Sequence, residues 1–394
     1  IHRVLETGNV PLKIALLTTD NRDHYGEYAE PMPQFGAAPE ALLAGFARQL
    51  GVEVHVIACA RQRLVPSVQL APQVFFHSLF VPRFNRLRSL YAGGVLAVRR
   101  KLRELQPDLV HGQGTERDCA LAAVFSGFPN VVTIHGNMAR LARLQRARVG
   151  SFPWLTARLE DFTLPRTWGV FCNSTHTETL VRPRARRIWH VPNALREVFF
   201  ASLPATPPET NCPVLLNVGV ICANKRQLDL LTQAEHWYRA GLRFELQFIG
   251  RADARVAGVN EFLARVKAAE RLGFARYRGI QSGPAMVQCL DQAAALIHVA
   301  DEEAFGLVVA EALARNVKLF AFQTGGVPEI AEGRTGAELF ALGDWSGLGN
   351  ALSRWIREGG ERPAAAALMR QRYHPDAIAA RHVEIYREVL RTVS

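Results

Sequence analysis

The feature that most constrains this chain is an alternation, kept up over almost all of its 394 residues, of short β-rich runs with segments long enough for helices. A parallel strand reaches its neighbour only through a crossover, usually a helix laid on one face of the sheet, so this rhythm predicts parallel sheets covered on both sides. In the first half the expected strands are 13–18, 53–59, 109–112, 131–135, 168–172 and 187–191, apolar nearly throughout as strands buried on both faces are. A Pro-rich polar stretch over 203–213, LPATPPETNCP, interrupts the pattern and is the best linker candidate. The alternation restarts at 214–218, 244–249, 294–299 and 318–322, and apolar residues at helical spacing predict an amphipathic terminal helix over 375–393. The expectation is an α/β protein of two doubly wound Rossmann-like domains, 1–200 and 201–374. Open sheets of this kind bind ligands beyond the carboxyl ends of their strands, so a pair of them would hold a substrate in the cleft between.

With 48% hydrophobic and 9% aromatic residues the chain has ample material for packed cores, which argues against a disordered protein. It offers no run of about 20 apolar residues for a membrane span, and residues 1–11 lack the apolar core of a signal peptide. The six cysteines are scattered, with no CxxC pair and no zinc-site spacing, and read as reduced thiols. A cytoplasmic protein is expected, soluble or peripheral on the inner face of the membrane. Charge divides the halves: residues 1–200 hold 25 Lys and Arg against 15 Asp and Glu, and the remainder 22 against 21. Basic groups crowd at Arg83, Arg86 and Arg88, at Arg99, Arg100, Lys101 and Arg103, and at Arg140, Arg143, Arg146 and Arg148. Such clusters suit either a solvated helix face or attraction to phosphates on a lipid, a membrane surface or an acidic acceptor. Phe152, Pro153 and Trp154 follow the last cluster, a basic and apolar combination that suits an anionic membrane.

The richest segment for chemistry is 301–333, DEEAFGLVVAEALARNVKLFAFQTGGVPEIAEG, directly after the expected strand 294–299. If Phe305, Gly306 and Leu307 open a helix, their amides lack intrahelical partners and the helix dipole adds positive potential, which suits a diphosphate. Glu303 would precede that helix and Glu311 lie on it, about 12 Å further along at helical rise, near the span from a hexose across a pyrophosphate to a ribose. Carboxylates accept hydrogen bonds from sugar hydroxyls, so each could grip one end of a sugar nucleotide. An ordinary amphipathic helix with an acidic first turn would show the same residues.

This segment resembles the Glu-x7-Glu motif of the retaining glycosyltransferases of the GT-B type, family 4-like, whose members include bacterial glycan assembly enzymes and sucrose and glycogen synthases. Glu303 and Glu311 match its two glutamates, and Gly325, Gly326, Pro328 and Glu329 match the GGxPE turn that follows. The segment 215–231, LLNVGVICANKRQLDLL, is similar to the strand and loop that present basic residues to the donor phosphates, with Lys225 on the family's lysine and Gly219 open to close approach. Where the family has Arg after that glycine this chain has Val220, and Arg226 stands where it has a glycine. In 131–137, VVTIHGN, His135 falls on the histidine that lies beside the donor hexose in the family, and Ile280 falls where its main chain meets the base. Pro192-Asn193 keeps the turn before the domain crossing. The loop after the first strand is the weakest match: a long insert, 20–35, precedes Gly36, the residue left to approach a phosphate. That insert, with Asp20, Asp23, His24, Tyr25, Glu27, Tyr28 and Glu30, suits an acceptor-facing loop or a surface elaboration equally.

The resemblance implies two facing domains, the first on the acceptor side and completed by a helix over 375–394 that crosses back to it, the second holding the nucleotide sugar. It implies front-face transfer of a hexose, with retention, from a UDP-sugar or related donor to an acidic, lipid-linked or glycan acceptor in envelope or polysaccharide assembly. Glu303, His135 and Lys225 would be catalytic, and Gly36, Gly219, Arg226, Ile280, Phe305, Gly306, Leu307 and Glu311 would join Lys225 in holding the donor. No cofactor and no metal is expected, Asp301 and Glu302 reading as structural or solvated. Two other classes fit less well. A sugar-nucleotide epimerase shares the architecture but needs no acceptor. A nucleic-acid-binding protein would use the basic first half, but aromatic-basic interleaving and a zinc knuckle are missing, so nucleic acid is not an expected partner.

Overall fold

A computed structural model describes residues 11–64, 68–82, 89–204, 212–358 and 362–393. The start of the chain, the arginines at 83, 86 and 88, and the middle of the Pro-rich stretch lie outside the described residues. The chain divides into two compact units, Ile1–Ala194 with Tyr373–Ser394, and Leu195–Arg372.

The first unit is built on eight strands: β1 (Leu12–Leu17), β2 (Val52–Ala60), β3 (Val68–Ala71), β4 (Val74–Phe80), β5 (Leu109–Gln113), β6 (Asn130–Ile134), β7 (Gly169–Cys172) and β8 (Ile188–His190). Their order is β3-β4-β2-β1-β5-β6-β7-β8, parallel except for the hairpin β3-β4 at one edge. The central strands β5, β6 and β7 are buried at every position, which is why they read as unbroken apolar runs. The helix Pro375–Val393 packs on the helix Ala37–Phe46 of this unit, with Phe46, His382 and Tyr386 in ring contact. Gly45 permits the approach, since a Cβ there would stand 2.3 Å from the Pro375 carbonyl oxygen. Arg48 Nε donates to Asp376 at 2.5 Å across the same seam.

The second unit has six strands, all parallel: β9 (Val214–Val218), β10 (Glu245–Ile249), β11 (Ala275–Gly279), β12 (Ala295–His298), β13 (Lys318–Phe322) and β14 (Ala337–Phe340). Their order is β11-β10-β9-β12-β13-β14. In each sheet the order runs outward from the first strand one way and then back the other. That leaves a topological switch point at the C-terminal ends of β1 and β5 in the first unit and of β9 and β12 in the second.

Sequence reasoning missed four strands, β3, β4, β11 and β14. Three of them are edges, with half-exposed residues: β11 reads Ala-Arg-Tyr-Arg-Gly, its two arginines facing solvent, so it lacks the apolar run that marks a central strand. All six cysteines are free thiols. Among the described residues no helix is long and apolar enough to cross a membrane.

Candidate active site

At the switch point of the second sheet, β9 leads through Gly219 and Val220 into a turn of 3₁₀ helix, Ala223–Lys225, while β12 leads into the loop 299–304. Asn224 staples the two loops. Its backbone carbonyl accepts from the Asp301 N–H at 2.8 Å, its side-chain oxygen accepts from the Glu302 N–H at 3.1 Å, and its amide donates to the Glu302 carbonyl at 3.0 Å. The staple sets Lys225 Nζ in an ion pair with Glu303 Oε2. His298 Nε2, from the last residue of β12, lies 3.2 Å from the same oxygen. Burial alone would raise the Glu303 pKa, but Lys225 and His298 outweigh it and hold the carboxyl down at about 2. At neutral pH Glu303 is therefore a fixed carboxylate, a hydroxyl acceptor with a cation beside it.

Three glycines let these loops close on one another. A Cβ on Gly250 would lie 1.9 Å from the Gly219 carbonyl oxygen, and a Cβ on Gly325, at φ +54°, only 1.6 Å from that of Glu303. Gly326 donates its N–H to the Glu303 carbonyl at 2.9 Å, and Thr324 Oγ1 donates to the Asp301 carbonyl at 2.9 Å. The Gly-Gly turn after β13 is thus the support on which the Glu303 loop rests, a physical reason for the GGxPE pattern.

The helix expected to open at Phe305 instead begins at Leu307, because Gly306 takes a left-handed conformation at φ +106° and breaks the helical path. Phe305 is buried ahead of it. The first amides of Leu307–Ala314 remain without i−4 partners inside the helix, as proposed for a phosphate seat. Glu311, buried on this helix, has Arg196 Nη2 3.7 Å from its Oε1. Arg226 does not join Lys225: its Nε donates to Asp229 at 2.8 Å, its Nη1 lies 3.5 Å from Asp301, and its guanidinium sits over Trp345. Asp301 is thereby a structural counter-ion, and Ile280 stands exposed just past β11.

The first unit carries a second polar arrangement at the C-terminal ends of the neighbouring strands β5 and β6. His135 follows β6, and its Nε2 donates to Gln113 Oε1 at 2.8 Å, which fixes the Nε2–H tautomer. Behind it, His111 shares hydrogen bonds with Thr133 Oγ1 at 2.7 Å and with Tyr386 OH at 2.6 Å, and Gln113 Nε2 lies 3.2 Å from the same ring. Burial pushes the His135 pKa down to about 4, so the imidazole is neutral. Gly36 caps the exposed start of Ala37–Phe46, where a Cβ would meet only Pro39 at 3.7 Å. The insert 20–35 is more internally committed than an acceptor loop needs to be. Asp20 and Arg22 form a buried ion pair at 2.7 Å, Arg22 Nη1 also donates to the Glu30 and Pro31 carbonyls, and Asp23 is taken by Tyr28 and Arg61. Among the described residues no three His, Cys, Asp or Glu side chains gather as metal ligands.

Sequence reasoning missed Asn224, Gly250, His298, Arg196, Gln113 and Tyr386. Only His298 carried a signal, a histidine ending a strand next to the richest motif. The others act by pairing with residues distant in sequence, which no local pattern announces.

The family model described as Glycosyltransferase Family 4 matches residues 41–196, and the model described as Glycosyl transferases group 1 matches residues 212–358. No curated protein sequence matches the chain. Among solved structures, a sucrose-phosphate synthase from Thermosynechococcus elongatus superposes with a TM-score of 0.75 at 16% identity, over 96% of this chain and 99% of that one. Anabaena HepE in complex with UDP-glucose gives 0.69 at 16% identity, over 95% and 99%. The lipopolysaccharide outer core galactosyltransferase WaaB gives 0.66 at 17% identity, over 95% and 99%.

Proposed function

The chain belongs to the family 4-like glycosyltransferases of the two-Rossmann-domain type, and on that premise we propose that it moves a hexose, with retention of anomeric configuration, from a UDP-sugar to an acidic or lipid-linked acceptor. The observation that carries the donor half is the Lys225–Glu303 pair set beside His298 at the switch point of the second sheet. In this reading the acceptor hydroxyl oxygen bonds to the anomeric carbon, the bond from that carbon to the phosphate oxygen breaks, and the departing diphosphate oxygen takes the hydroxyl proton. Lys225 and the amides at Leu307 meet the charge growing on the diphosphate, Glu303 accepts from a sugar hydroxyl, and Glu311 from the ribose. Neutral His135 is assigned the place beside the hexose on the strength of its match to the family's histidine. Anabaena HepE, solved with UDP-glucose, supports uridine as the base. The excess of basic residues in the first 200 positions supports an anionic acceptor and work at a membrane surface on the cytoplasmic side, in assembly of an envelope glycan.

The chemistry needs no metal in this reading, and turnover is expected to survive EDTA. The direct test offers UDP-glucose, UDP-galactose and UDP-N-acetylglucosamine with phosphorylated and neutral acceptors and reads UDP release and the anomeric proton of the product by NMR. An α-linked product from an α-donor is expected. A β-linked product would overturn retention, and consumption of donor without any acceptor would point to an epimerase.

A further inference from the structure

The helices Met138–Leu144, Phe152–Thr163 and Thr175–Val181 of the first unit, with the residues that follow the first and last of them, line an open pocket of about 580 Å³. Its wall carries four arginines, Arg143, Arg146, Arg158 and Arg184, together with Trp154 and one carboxylate, Asp161. Arg184 is neutralised, its Nη1 lying 2.9 Å from the buried Glu160 and 2.8 Å from Asp161. Arg158 leans over the Trp154 ring, 5.5 Å from its centroid, and is 3.8 Å from Asp161. Arg143 and Arg146 have no acidic partner among the described residues. One lining carboxylate, with buried Glu160 behind Arg184, thus stands against four arginines, and the imbalance points into a pocket of ligand size.

The basic cluster at Arg140, Arg143, Arg146 and Arg148 does not lie on one helix face: the helix ends at Leu144, and Arg146 turns at φ +47°. Around that break Leu144, Val149 and Phe152, close in sequence to the lining residues Arg143, Arg146 and Trp154, are 44%, 83% and 47% exposed. Arg143 Nε donates to the Ala139 carbonyl at 3.2 Å, which leaves its charge without a carboxylate, and exposed apolar side chains close in sequence to such arginines suit an amphiphile with its anionic head in the pocket.

We infer that this cavity is a phosphoryl-binding site, taking the phosphate or pyrophosphate head of an anionic amphiphile between Arg143, Arg146 and Arg158. The inference deepens the acceptor half of the proposed function, and rests on it only for identifying the ligand as acceptor. Guanidinium groups bind phosphate oxygens through paired hydrogen bonds, and Trp154 gives Arg158 a fixed face to lie on.

The test titrates inorganic pyrophosphate calorimetrically into the Lys225→Ala protein, which removes the proposed donor-phosphate cation, and into the same protein carrying Arg143→Gln and Arg146→Gln. Binding is expected in the first and at least tenfold weaker in the second. Vesicles of phosphatidylcholine, with and without about one-fifth phosphatidylglycerol, form the second arm and use the protein with its native Lys225. A site reading a lipid head binds the anionic vesicles and releases them as salt rises. A site reading a phosphorylated soluble compound binds pyrophosphate but ignores both vesicles. Arg143→Lys with Arg146→Lys should restore part of the vesicle binding but little of the pyrophosphate binding, because the ammonium lacks the paired donors. Equal pyrophosphate affinity with and without the two arginines, or no binding of pyrophosphate and vesicles at all, would overturn the inference. The thermal shift with UDP, unchanged by Arg143→Gln and Arg146→Gln, reports separately on the donor reading.

Discussion

Glu303 is the residue on which the donor reading turns, because at the switch point of the second sheet it is placed against both a lysine and a histidine. Glu303→Gln keeps the shape and removes the charge, so transfer should fall by two orders of magnitude or more while UDP affinity changes little. Steady-state turnover and calorimetry on the same variant check this. The substitution also strips Lys225 of its counter-ion, and because that ammonium keeps some contact with water the loss of stability should be modest, about 1 to 3 kcal/mol. Lys225→Ala should weaken UDP much more than uridine, and equal losses for the two would show that the lysine is structural. Glu311→Ala should weaken UDP by about 1 to 3 kcal/mol, the range for a charged hydrogen bond. Part of that loss would come from Arg196, left with no carboxylate at 3.7 Å.

At the scale of elements, two seams hold the sites in place. Gly325→Ala would push a methyl carbon to 1.6 Å from the Glu303 carbonyl oxygen, so the turn after β13 and the Glu303 loop cannot both keep their positions. A lower melting temperature together with lost turnover is expected, whereas Gly26→Ala, in open space at a similar φ, should cost only backbone strain. In the first unit, Tyr386→Phe removes the hydroxyl that meets buried His111, and a loss of about 1 to 3 kcal/mol in urea unfolding should follow. These seams also explain what the sequence could and could not disclose. Central strands such as β5, β6 and β13, and the terminal helix, announce themselves because burial on both faces or one stripe imposes a local pattern. β11 and β14 do not, since an edge needs less apolar surface. Glu303, Glu311, Lys225 and His135 were legible through their motifs. Asn224, Gln113 and Arg196 were not, because each is defined by a partner 20 to 115 residues away. The Arg143–Arg146 cavity was visible in part, as a basic cluster followed by Trp154, but its closure by Arg184 needed the fold.

For the molecule as a whole, the placement of buried and half-buried histidines sets its response to acid. His77, His135 and His382 are each held at about 4 by burial, and His111 well below its usual value, all in the first unit. Unfolded, they would titrate near 6.5, so between about pH 6.5 and 4 the unfolded chain binds more protons and stability falls as pH is lowered. Glu116, raised to about 7 by burial, works in the opposite sense and offsets one of these protons. Unfolding of the first unit near pH 5.5 should therefore take up about three protons, and urea midpoints measured from pH 7.5 to 5 should fall steadily. Glu303, whose folded value is depressed, stabilises the second unit above about pH 4.5 and loses that contribution only as pH falls toward 2. The measurement that most directly tests the account is a thermal-shift comparison of UDP, GDP, ADP and their sugars on the native protein and on Lys225→Ala. UDP and UDP-sugars should raise the melting temperature of the native protein and do so far less in the variant, since stabilisation follows affinity by mass action. A protein unmoved by every nucleoside diphosphate, or a Lys225→Ala variant stabilised by UDP as strongly as the native chain, would contradict it.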